Sequence, residues 1–279
     1  MKNQAPAAKT EETTSGGSSY FAAIAIPLIF VISVLIYLFV LGNPNNFENG
    51  DPNNHPLPGN WLGVVYKGGI VVAVLITCLL VTIVFAIERF LTINKAKGKG
   101  GIASFVKRVR AMLGRGEVDA AIAECDKQRG SVANVIRAGL VKYKEMSFNR
   151  DMDTEHKVLA IQKDIEETTQ LELPMLEKNL VIIATMASVA TLIGLLGTVT
   201  GMIKAFAAIA TAGAPDAVGL ANGISEALIN TALGVGTSAL AIIFYNFFTT
   251  KIDELTYGID EAGYSITQNF STQQNSRVA

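Results

Sequence analysis

The chain has 279 residues, half of them hydrophobic and only 17% charged, where a soluble domain carries about a quarter charged residues. That deficit, with a mean hydropathy of +0.37, excludes an ordinary soluble domain and argues for an all-α integral membrane protein. A net charge of −1 excludes the basic footprint that nucleic-acid binding needs.

Residues 1–19 are rich in Ala, Thr, Ser and Gly and are expected to form a disordered tail. Residues 20–41 then run without a charge, long enough to cross about 30 Å of hydrocarbon. A signal peptide competes for this stretch, but its apolar core would be about 7–15 residues, closed by a small-x-small site. The longer core here, followed by Gly42-Asn43-Pro44, favours a retained first transmembrane helix. Pro27 sits in its early turns, where a missing N–H costs least. Residues 42–66 read as a Pro/Asn/Gly loop, with Trp61 and Tyr66 placed like interfacial anchors. A second span covers 67–92; Glu88 and Arg89 close its apolar part, and Lys95, Lys97 and Lys99 follow.

Residues 93–178 hold most of the Lys and Arg, whereas 42–66 hold none. The positive-inside rule therefore puts 93–178 in the cytoplasm and 42–66 in the periplasm. The cytoplasmic region reads as helices at about 102–114, 117–129 and 131–146, with a long one from about 153. Val158, Ile161 and Ile165 give that last helix an apolar stripe, read as bundle core. A third span is expected over 179–210, a periplasmic turn over 211–220 containing Gly213-Ala214-Pro215-Asp216, and a fourth span over 221–250. Residues 251–279 continue as a cytoplasmic helix and tail, with Ile252, Leu255, Ile259, Ile266 and Phe270 on one face to pack beside the helix from 153. Four crossings place both termini in the cytoplasm.

Lys204 and Glu226 are the only charged groups well inside the spans, each costing about 2.5–3.5 kcal/mol at a helix centre. They flank the same turn and are a candidate ion pair. A snorkelling Lys204 with Glu226 near a water-filled mouth is the structural alternative, and Glu226 lining an ion path is the functional one. Gly194, Gly197 and Gly201 form a small-residue stripe beside Thr198, and Ala227, Thr231, Gly234 and Ser238 form a matching one. Two such stripes suit helices that face a central occupant. Glu226 and Thr231 are about 140° apart on a helix, so one of them faces a helix–helix seam instead, while Asn222, Glu226 and Asn230 share a face. No Asp or His lies within the spans, and Glu226 lies near the outer side, so if ions move here a partner helix is expected to bring the titrating mid-membrane acid. Cys78 and Cys125 are not expected to bridge, and His55 and His156 lack ligand spacing. With no nucleophile constellation or phosphate loop, neither an enzyme nor a cofactor is expected.

Leu192-Ile193-Gly194-Leu195-Leu196-Gly197-Thr198-Val199-Thr200-Gly201-Met202, the segment Gly223-Ile224-Ser225-Glu226-Ala227-Leu228 with Thr231-Ala232-Leu233-Gly234, and Tyr245-Asn246 resemble the signature segments of the MotA/TolQ/ExbB proton-channel family, most of all its ExbB branch. The match is strongest over 174–250 and looser over 61–150; residues 1–60 show none, so the first helix is an addition to a three-span plan. The family carries Pro where this chain has Thr191. The resemblance implies an inner-membrane motor subunit. It implies a homopentameric ring around a dimer of an ExbD-like single-span protein, whose membrane Asp takes and releases protons, with the work passed to a TonB-like transducer that energises outer-membrane import. It places Thr198, Thr231 and Glu226 on the ion pathway. A TolQ-like envelope stabiliser, a motility stator and a non-conducting scaffold are the competing readings.

Overall fold

The computed structural model describes residues 17–211 and 216–278, so the tail before Gly17 and the Gly213-Ala214-Pro215 turn lie outside the described residues. The helices are α1 (Gly17–Leu35), α2 (Trp61–Tyr66), α3 (Ile70–Lys97), α4 (Ile102–Gly114), α5 (Val118–Gln128), α6 (Ser131–Phe148), α7 (Thr154–Glu177), α8 (Leu180–Thr211) and α9 (Ala217–Val278). No strand occurs among the described residues. Four helical segments are long and apolar enough to cross a membrane: Tyr20–Leu41, Ile70–Gly114, Thr154–Ala210 and Ala217–Gln274. The described residues divide into two compact units, one within Met1–Val81 and Leu196–Asn230, the other within Thr82–Leu195 and Thr231–Ala279.

In the first unit, α1 runs into a π-helical turn, Ile36–Leu41, which ends at Gly42 with a bond from Gly42 N–H to Tyr37 O of 3.0 Å. The freed carbonyls of Val40 and Leu41 both accept from the Asn46 amide at 2.9 Å, as a helix end requires. The segment after it is folded rather than loose. Phe47 pairs with Pro56 in an isolated bridge, Lys67 Nζ donates to Pro52 O and Asn53 O at 2.9 and 3.0 Å, and Asn60 caps α2 by accepting from Leu62 and Gly63 N–H. Trp61 is exposed, and Tyr66 is half-buried. Its ring stacks on Tyr37 at 4.8 Å and meets Phe47 edge-on at 5.3 Å, filling space that Gly42 leaves open.

The second unit carries the polar-headed bundle. Val109 and Leu113 of α4, Ile136, Leu140 and Tyr143 of α6, Ile161 and Ile165 of α7, and Leu255, Ile259, Ile266 and Phe270 of α9 are all buried. Gly139 and Gly263 both close on Ile165. Tyr143 meets Phe270 edge-on at 4.9 Å, and its hydroxyl bonds Asn269 Oδ1 at 2.9 Å. α9 is one uninterrupted helix of 62 residues, about 93 Å at 1.5 Å per residue, because no Gly or Pro breaks the sequence where the apolar span gives way to its polar extension.

Between α7 and α8 the chain does break. Pro174 supplies no N–H to the last turns of α7. Arg89 of α3 serves carbonyls that the end of α7 leaves open, its Nη1 donating to those of Met175 at 3.2 Å and Leu176 at 2.9 Å. The guanidinium is 2% exposed and is paired with Glu88 through Nε at 2.6 Å and Nη2 at 2.5 Å. Asn179, at the head of α8, donates to the same carboxylate at 3.0 Å. The sequence presents Glu88 and Arg89 as a span's closing charges; in the fold they are a buried bracket.

Candidate functional site: the α8–α9 polar seam

Small residues determine how α8 and α9 meet. Within the first unit, a Cβ on Gly201 would lie 2.7 Å from Ala227 N and 2.8 Å from Gly223 O, and one on Gly223 would lie 2.6 Å from Ala205 N. Gly197 closes on the Asn230 side chain. Within the second unit, a Cβ on Gly234 would lie 2.6 Å from Ala190 O and 2.8 Å from Gly194 Cα, and Ser238 Oγ donates to Ala187 O at 2.5 Å. In each unit the two small-residue faces meet one another, at separations only Gly and Ala permit. These glycines and Ala227 therefore pack the two helices together.

Polar groups occupy and flank this seam. Lys204 Nζ donates to Glu226 Oε1 at 2.6 Å; the lysine side chain is 61% exposed and the glutamate 12%. Glu226 is thus turned into the seam, and the carboxylate also lies against the backbone of Gly69. Asn230, one turn further on, is fully buried and donates through Nδ2 to Gly68 O at 2.9 Å. Its Oδ1 is the buried side-chain atom left without a hydrogen-bond partner among the described residues. Thr198 and Thr231, on the same two helices, are half-exposed. Glu226 is buried, whereas Thr231 is half-exposed.

Apolar surface surrounds the rest of these helices: Leu192, Leu195, Val199 and Ile203 on α8, and Leu228, Val235 and Ile242 on α9, are exposed. Glu88, Arg89, Asn179 and Asn230 are polar residues whose roles sequence reasoning did not assign. The one signal for Asn230 was the face it shares with Glu226. For the others it was an adjacent acid–base pair at the end of an apolar run. Cys78 and Cys125 are both buried free thiols. Burial pushes the Cys125 thiol up to about 12, with Asp126 adding to the effect and Arg137 opposing it. No cluster of three metal-ligating groups occurs among the described residues.

Comparison with known proteins bears on these same helices. Residues 128–261 match the model of the MotA/TolQ/ExbB proton channel family. The chain is 30% identical over 124 residues to the Tol-Pal system protein TolQ of Pseudomonas aeruginosa, covering 44% of this chain and 54% of that protein. It is 39% identical over 92 residues to the biopolymer transport protein ExbB of Aquifex aeolicus, covering 33% and 62%. It is 40% identical over 94 residues to TolQ of Haemophilus influenzae, covering 32% and 41%. The chain thus spans about half the length of the curated relatives it matches.

Proposed function

We propose that this chain, whose residues 128–261 match the MotA/TolQ/ExbB proton channel family and which is similar to ExbB and TolQ proteins alike, is an inner-membrane ion-channel and motor subunit. In this reading it couples the proton motive force to a TonB-like protein that energises outer-membrane import. The observation that carries the reading is the α8–α9 seam itself. Two apolar helices are locked by Gly and Ala, with Thr198 and Thr231 half-exposed beside the lock and one charged pair set within it. Such a lock makes a stiff wall. Hydroxyls along a wall can hydrogen-bond a passing carboxylic acid without holding it as an ammonium would.

As the family resemblance implies, five copies would surround a dimer of an ExbD-like single-span protein whose Asp is the proton carrier. A proton crossing 100 mV releases about 2.3 kcal/mol, enough to bias a rotation between smooth faces. The concentration of Lys and Arg in residues 93–178 and their absence from 42–66 support cytoplasmic termini and a periplasmic 42–66 segment. The exposed apolar faces of α1, α8 and α9 suit lipid or neighbouring copies. A TolQ-like role in envelope stability is the second reading, favoured by the identity to TolQ over 124 residues.

The test is the native mass of the detergent-extracted complex after co-expression with a small single-span protein bearing a membrane Asp. A five-fold ring holding a substoichiometric partner is the expected result. A stable monomer or dimer without the partner would overturn the reading in favour of a scaffold.

A further inference from the structure

Glu226 is held from a direction that its own helix does not supply. Gly69, the residue before α3, has φ +75°, and a Cβ there would lie 2.8 Å from Glu226 Oε1 and 3.4 Å from its Cδ. The carboxylate therefore occupies the volume that any side chain at position 69 would fill. The neighbouring Gly68 is tied to the same helix face, because its carbonyl accepts from buried Asn230 Nδ2 at 2.9 Å and its Cα side abuts Ile229. Lys204 Nζ reaches the same oxygen, Oε1, at 2.6 Å.

We propose that Gly69 is a positioning residue for Glu226. The Gly68–Gly69 turn seats the carboxylate against Lys204, so that the folded 42–69 segment sets whether this charge is engaged. The turn is in turn fixed by that segment. Gly68 and Gly69 N–H bond Val65 O and Tyr66 O at 3.0 and 3.1 Å, Tyr66 is stacked on Tyr37, and Lys67 is clamped to the carbonyls of Pro52 and Asn53. A displacement of the segment would move the turn. It would cost Asn230 its one hydrogen bond in a site where Oδ1 already has none, and it would release Glu226 from its seat. Seating is thereby coupled to the fold of the 42–69 segment. The consequence for conduction rests on the ion-path role proposed above; the seating itself does not.

Zero-length coupling with a carbodiimide tests the seat directly, because an amide between Lys204 and Glu226 forms only where the two groups touch. In the full chain, mass spectrometry should find the Lys204–Glu226 cross-link in the wild type and its loss to background in Gly69→Ala, where the new Cβ and the carboxylate compete for one volume. Should Gly69→Ala fail to assemble, Asn230→Ala removes the tether without adding bulk, and a reduced cross-link is expected there. Wild-type yield in the assembled variant, or no cross-link in the wild type, overturns the proposal. A lost cross-link with proton flux unchanged in the reconstituted complex would leave the seat standing and count against Glu226 as part of the ion path.

Discussion

Replacing Arg89 by alanine removes the donor on which the α7–α8 junction depends. The guanidinium is 2% exposed, pairs with Glu88, and donates to the carbonyls of Met175 and Leu176. Its loss strands two carbonyls at the end of α7, and among the described residues leaves Glu88 with Asn179 and Thr92 as partners. Breaking a buried ion pair costs about 3–5 kcal/mol. The Glu88 side chain is 22% exposed, so water recovers part of its solvation and the lower end, about 3 kcal/mol, applies. For a chain of this size that is a fall of roughly 6–12 °C in the unfolding midpoint. Thermal unfolding of the detergent-solubilised protein reads it, with Arg115→Ala as the control, since Arg115 and its partner Glu117 are both exposed. Arg89→Lys should fall between, because one ammonium cannot serve a carboxylate and two carbonyls in a fixed fork. An Arg89→Ala midpoint no lower than that of the control would refute the bracket.

Thr198→Ala and Thr231→Ala are expected to leave the native mass unchanged and to lower transport in an iron-chelate uptake assay; wild-type uptake by both would count against a pore-lining role. Gly201→Val and Gly234→Val should each prevent the α8–α9 approach, since a Cβ at either site already meets backbone at 2.7 or 2.6 Å. Loss of the monodisperse complex on size-exclusion chromatography checks this, and normal assembly of either variant would contradict the packing described. In a Cys78→Ala background, Cys125 should resist alkylation at pH 8. A thiol pushed up to about 12 by burial is neutral there, with about one in ten thousand ionised. Labelling should become complete only on denaturation, and complete labelling of the native protein within minutes would show the thiol to be open.

The elements that sequence made legible are those decided locally. Four long apolar runs, the Gly and Thr punctuation of the third and fourth, and the family signature within residues 192–246 depend on composition and spacing along one helix. The same logic led to the apolar face from Ile252 to Phe270, which the fold buries against Ile165 and Tyr143. Spacing also showed that Glu226 and Thr231 could not both point one way. It could not say which of them turned inward, because a helical period assigns residues to a face and leaves the helix free to rotate about its axis.

That rotation was settled by contacts distant in sequence. Asn230 reaches Gly68, 162 residues away, and Arg89 reaches Leu176, 87 residues away. Tyr66 is stacked on Tyr37 and fills the space at Gly42. Composition thus determined that this chain has four helical segments able to cross a membrane, and that two of them can approach backbone to backbone. Only the tertiary structure decided that the small faces close on each other and that Glu226 lies between Lys204 and Gly69. The physical reason is that a buried charge settles where its partners are, and those partners lie on helices that only folding brings together.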